Sequence, residues 1–92
     1  MIYFQAMEKY ELTIVLDPKV TTAKKKKVIE TVEKVAGIVK GNLGKMEDWG
    51  LVGTGLYLHF PLELETSSVK TVSTKINQES EILKYLLIRK GK

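Results

Sequence analysis

The chain has 92 residues, enough for one domain with one modest core, so whatever it does is done from the surface of a single folded unit. A hydrophobic fraction of 43% and a charged fraction of 28% are those of a globular protein in water, and no apolar run nears the roughly 20 residues of a bilayer span. The absence of cysteine removes disulfides, thiolate metal sites and a thiol nucleophile and leads us to expect the cytoplasm, while the net charge of +4 attracts polyanions such as nucleic acids.

Residues 1–6, which include Tyr3-Phe4-Gln5-Ala6, read as the remnant of a protease-cleavable purification tag, with a natural start at Met7 and a single domain over 7–92. Glu8, Lys9 and Glu11 interrupt any apolar stretch that a secretory signal would need. Residues 10–16 alternate as a strand, with Leu12, Ile14 and Leu16 on one face, and Asp17-Pro18 ends it. The period then changes to helical over 22–39, with Val28, Val32, Val35, Ala36 and Val39 on one stripe, Thr21 or Thr22 as N-cap and Gly41 as stop.

A second strand over 42–49 alternates less cleanly, and 50–55 is a glycine-rich turn. The third strand, 56–64, sets Leu58, Phe60, Leu62 and Leu64 against Tyr57, His59, Pro61 and Glu63, and Pro61 requires an edge position or a bulge. Thr66, Ser67 or Ser68 caps a second helix that buries Val69, Val72 and Ile76 and ends near Gln78. The last strand, 82–90, is expected to bury Leu86 and Ile88 and to show Tyr85, Leu87 and Arg89 on its other face.

The order strand, helix, strand, strand, helix, strand is the ferredoxin-like plan, an α+β sandwich with both helices on one face of a four-stranded antiparallel sheet. Its open face would present Thr13, Val15, Tyr57, His59, Tyr85, Leu87 and Arg89. No constellation supports catalysis: His59 reads as a surface histidine with no carboxylate or metal partner beside it, Glu47 and Asp48 face opposite ways, and no nucleophile elbow is present. The spacing of Gly50, Gly53 and Gly55 matches no phosphate loop. No cofactor, metal or small-molecule substrate is expected.

Lys24 to Lys27 spread around a helix start, where a solvated surface and a phosphate contact both remain open. Lys84, Arg89, Lys90 and Lys92 give the C-terminal strand a second group of cations beside the open face. Tyrosines, a histidine and an arginine on one face suit stacking on unpaired bases and reaching phosphates, and equally a protein partner or a second copy of the chain.

Three segments in this order on this plan resemble the bacterial small-subunit ribosomal protein six family over 10–90. They are Tyr10-Glu11 with Ile14-Val15-Leu16-Asp17-Pro18, then Gly44-Lys45-Met46-Glu47-Asp48-Trp49-Gly50, and Asn77 with Ile82-Leu83-Lys84-Tyr85-Leu86-Leu87-Ile88-Arg89-Lys90. The resemblance implies a cytoplasmic, non-enzymatic constituent of the small ribosomal subunit that binds the central domain of 16S-type ribosomal RNA together with small-subunit protein eighteen. By strand position it implies RNA contacts at Lys9, Tyr57, His59, Tyr85 and Arg89, to which the charge pattern adds Lys84 and Lys90. The family also carries a long basic hairpin after the Trp-Gly corner, where only 51–55 stand here, and residues missing from that tip are expected in preference to a shortened hairpin. An oligomerisation or small-molecule regulatory module of the same fold is the alternative. An acylphosphatase-like enzyme would need an arginine in the loop occupied by Asp17-Pro18-Lys19.

Overall fold

The structure is a computed structural model that describes residues 7–90, so the suggested tag remnant at 1–6 and the terminal Lys92 lie outside the described residues. In chain order the elements are β1 (Glu8–Leu16), α1 (Thr22–Ile38), β2 (Asn42–Leu43), β3 (Glu47–Val52), β4 (Gly55–Leu64), a 3-10 turn (Thr66–Ser68), α2 (Val69–Asn77) and β5 (Ile82–Arg89). All ladders are antiparallel: β5 pairs with β1, β1 with β4, and both β2 and β3 with the far edge of β4. This is the ferredoxin-like sandwich, with its second strand divided into two segments. Among the described residues no helix is long and apolar enough to cross a membrane.

Pro61 accounts for the division. The Gly44 amide donates to the Pro61 carbonyl at 2.7 Å, but Pro61 has no N–H to return the bond, and the ladder resumes only where Glu47 faces His59. The proline therefore sits inside the sheet opposite an interruption in its neighbour, the local irregularity its position requires. A second irregularity follows at once: Asp48 faces Leu58 and Gly50 faces Tyr57, which leaves Trp49 as an extra residue. Gly50 absorbs the kink at a φ of +72°, and its N–H donates to Asp48 Oδ1 at 2.8 Å.

Between β3 and β4 the register runs unbroken to Val52 facing Gly55, around a two-residue turn whose first member, Gly53, has a φ of +60°. The hairpin is short and closed, contrary to the expectation of a missing tip.

Helix α1 starts as its sequence suggests, with Thr21 accepting the Lys24 amide at 3.1 Å. Its end differs. Lys40 takes the left-handed position, at a φ of +59°, and the amides of Lys40 and Gly41 bond back to the carbonyls of Gly37 and Ala36. Gly41 is needed for another reason, since a Cβ there would lie 2.7 Å from Leu64 Cδ2 and 2.8 Å from the Glu63 carbonyl. Helix α2 is entered through the 3-10 turn, and Ser68 at its N-cap makes no side-chain capping bond.

One core fills the space between sheet and helices. Leu12, Ile14, Leu16, Leu58, Phe60 and Leu64 from β1 and β4 meet Val28 and Val32 of α1 and Val72 and Ile76 of α2. Each of the larger side chains stabilises the fold by about 1.5–3 kcal/mol when fully buried.

The last strand reverses the expected faces. Leu12 faces Leu87, Ile14 faces Tyr85 and Tyr10 faces Arg89, and residues directly opposite in an antiparallel ladder share a face. Tyr85 and Leu87 thus pack against the core, while Leu86 and Ile88 stand on the open face, 58% and 47% exposed. The alternation of β5 could not decide this, because Ile82, Leu86 and Ile88 at one parity compete with Leu83, Tyr85 and Leu87 at the other for burial. Docking against β1, with a register shift beside Leu16, decides it.

Candidate nucleic-acid interface

The helix-free face of the sheet can be laid out from the ladders. Tyr57, Val15 and Lys84 form one row across β4, β1 and β5; Glu47, His59, Thr13 and Leu86 form the next across β3 to β5. Pro61, Glu11 and Ile88 follow, and Glu63 and Lys9 form the last row with Lys90, whose amide donates to the Lys9 carbonyl at 2.8 Å. Gly44, Pro61, Glu11, Glu63, Lys9 and Lys90 edge a groove of about 330 Å³ at that end.

The centre of this face is an aromatic pair. The extra residue Trp49 lays its ring on that of His59, with centroids 4.7 Å apart and planes 11° from parallel. Trp49 Nε1 donates to Glu47 Oε1 at 3.0 Å, and Thr13 Oγ1 lies 3.4 Å from His59 Nδ1 on the far side. His59 is consequently buried, at 9% exposure, while Trp49 is 48% exposed. The surface-histidine reading of His59 is therefore corrected: the imidazole is the floor on which the indole rests.

Charge on the face is unevenly committed. Glu11 pairs with Lys90 at 3.5 Å, Glu63 accepts from Asn42 Nδ2 at 3.2 Å, and Glu47 holds the indole N–H. Lys9 and Lys84 are exposed and, among the described residues, have no ion-pair partner. The formal charge of the face is thus balanced, three carboxylates against Lys9, Lys84 and Lys90, with Lys9 and Lys84 the cations that no carboxylate pairs among the described residues.

The seven candidate residues separate accordingly. Lys9, Tyr57, Lys84 and Lys90 reach the open face, and His59 reaches it only beneath Trp49. Tyr85 does not: it faces the helices, and its hydroxyl donates to the Ser73 carbonyl at 3.4 Å. Arg89 shares the helix-side face with Glu8, to which it is paired at 3.3 Å. The open-face positions expected for Tyr85 and Arg89 thus fall with the reversed register of β5. Trp49, Leu86 and Ile88 are the residues that strand alternation missed; the signal for Trp49 was a large aromatic one residue before a glycine able to take positive φ.

The lysine run of α1 divides as well. Lys25 pairs with Asp48 and Lys24 with Glu81 at 3.8 Å, so two of the four cations tie the helix to its neighbours. Lys25 and the Gly50 amide hold the Asp48 carboxyl below the usual aspartate range. Among the described residues no group of acidic or histidine side chains is arranged to hold a metal ion.

No family model matches the chain, and no curated protein does. Solved structures do. The 30S ribosomal protein S6 of Thermotoga maritima superposes with a TM-score of 0.81 at 18% identity, over 92% of this chain and 89% of that one. The likeness is one of fold. Two further structures make the same point: the C-terminal domain of the Mycobacterium tuberculosis MgtC protein (TM-score 0.72, 8% identity, 96% and 93% covered) and the Thermotoga maritima chemotaxis kinase CheA P2 domain, solved in complex with the response regulator CheY (0.65, 6%, 91% and 99%). One architecture thus serves proteins of very different names, and function has to be argued from the face itself.

Proposed function

We propose that this chain is a structural, non-enzymatic RNA-binding component of the small ribosomal subunit, contacting 16S-type ribosomal RNA through the open face of its sheet and acting in the cytoplasm on the ribosome. The observation that carries the reading is the exposed indole of Trp49 on a face where, among the described residues, Lys9 and Lys84 have no ion-pair partner. Bases stack on such rings and phosphates meet such lysines. The near full-length fold match to a ribosomal protein six supports it, as do the three sequence segments that resemble that family. On this reading small-subunit protein eighteen is the protein partner, and the exposed Leu86 and Ile88 of edge strand β5 offer it an apolar row.

The test is binding of the purified chain to deproteinised small-subunit ribosomal RNA across a salt series. Reversing Lys9 and Lys84 to Glu should weaken binding and make the salt dependence shallower by about one unit of slope for each phosphate no longer neutralised. Binding that stays unchanged in both affinity and slope rejects the face as the interface.

The same Leu86–Ile88 row favours a second reading, an oligomerisation module. It requires a molecular mass that rises with protein concentration in sedimentation without RNA, and Leu86→Lys would abolish the rise.

A further inference from the structure

We infer that the outward face of Trp49 is a stacking platform for one unpaired nucleobase, a role that rests on the RNA-binding reading above. The indole is held at two points. Its inner face lies on His59, and its N–H is committed to Glu47 at 3.0 Å. Neither restraint uses the outer face, and the residue remains 48% exposed. A side chain fixed in this way loses little rotamer freedom when a ligand stacks on it, so little of the stacking free energy goes into ordering the ring.

The support beneath the ring is built into the chain. Because Trp49 is the extra residue of a bulge, its side chain is added to the ladder of β3 and β4 without displacing a neighbour. Gly50, at a φ of +72°, makes that backbone path accessible.

The occupant follows from the exposed plane of the ring and from the cations elsewhere on the same face. Lys9, further along β1, and Lys84, on β5, lie on the same face without an ion-pair partner among the described residues, and Lys45, two residues before Glu47 opens β3, is exposed as well. Glu47, the acid that touches the ring, accepts the indole N–H and keeps its negative charge, so the ring itself meets the base while the phosphates fall to the lysines. A flat, uncharged π-system on a polyanionic backbone fits this arrangement, and a nucleobase in a single-stranded segment is that ligand.

Trp49 is the chain's single tryptophan, so its fluorescence reports on this ring alone. The experiment titrates the protein with deproteinised small-subunit ribosomal RNA and compares Trp49→Phe and Trp49→Leu, each checked for an unchanged unfolding midpoint. Stacking predicts quenched emission on RNA binding. It also predicts that Trp49→Leu binds roughly 5- to 150-fold more weakly, the range that base–aromatic stacking supplies, while Trp49→Phe keeps most of the affinity. Since stacking releases no counterions, the salt slope of Trp49→Leu should match that of the unsubstituted chain, unlike that of the lysine variants. RNA binding with unchanged emission and an unaffected Trp49→Leu overturns the inference and leaves the RNA reading standing. Failure of the unsubstituted chain to bind removes the RNA reading and the stacking platform with it. Emission that responds to protein concentration alone assigns the ring to a second copy of the chain and overturns the inference.

Discussion

Leu86 stands directly opposite Thr13 in the ladder between β5 and β1, and that pairing places its side chain in water on the open face. Its neighbour Leu87, opposite the fully buried Leu12, packs against the core instead. The two leucines are chemically identical and adjacent, so they measure the register of the strand. Leu87→Ala should cost ~1–2 kcal/mol in urea unfolding, as expected for a partly buried leucine, and Leu86→Ala should stay within about 0.5 kcal/mol of the unsubstituted protein. The opposite ranking would mean that β5 is turned over.

Lys40 holds the left-handed turn that ends α1, a conformation costing a residue with a Cβ roughly 1–2 kcal/mol. Lys40→Gly removes that cost at the expense of some unfolded-state entropy, and should raise stability by up to about 1 kcal/mol. Its neighbour behaves in the opposite sense. Gly41→Ala should destabilise, because its new methyl meets Leu64 and the Glu63 carbonyl. Denaturation midpoints for the two variants should move in opposite directions.

Gly55 closes the β3–β4 hairpin beneath Val15, whose Cγ1 would lie 2.5 Å from a Cβ added there. Gly55→Ala should therefore cost ~1–3 kcal/mol through overpacking. In the double variant with Val15→Ala the methyl has room, so the combined cost should fall short of the sum of the single costs by about 1 kcal/mol or more. Simple additivity would show that the crowding relaxes elsewhere.

Asp48 links the bulge of β3 to α1 through Lys25. Its carboxyl is held below the usual aspartate range, first by the hydrogen bond from Lys25 and then by the Gly50 amide, so the folded state favours the charged form. The stabilisation is therefore present above the ordinary aspartate pKa and disappears as pH falls through the lowered folded value. The pair is partly exposed, which limits its contribution to less than ~1 kcal/mol. Comparing Asp48→Asn with the unsubstituted chain, the stability gap should be largest near neutrality and close as pH falls below the ordinary aspartate range through the lowered folded value. A gap independent of pH would leave the Lys25 pairing without a charge-dependent role.

Much of this molecule was legible before folding. Strict alternation in β1 and β4 identified Leu12, Ile14, Leu58 and Phe60 as one face, and the helical stripe of Val28 and Val32 identified what covers it. Pro61 announced an irregularity, and the glycines after Trp49 announced a turn. These signals are local: period, cap and breaker act within a few residues of themselves, so they survive without knowledge of the partner.

Other features depend on which strand lies beside which. With apolar residues at both parities of β5, either face could have been buried, and only docking against β1 put Tyr85 inside and Leu86 outside. Arg89 became half of an ion pair with Glu8 because those residues meet across that ladder. Local signals along the chain were enough for the order of elements, the two-layer plan, the core of the central strands and the net positive charge. It took the tertiary structure to rest Trp49 on His59 and to leave Lys9 and Lys84 without an ion-pair partner among the described residues, because stacking and charge pairing join residues whose neighbours are set by strand register rather than by the chain around them.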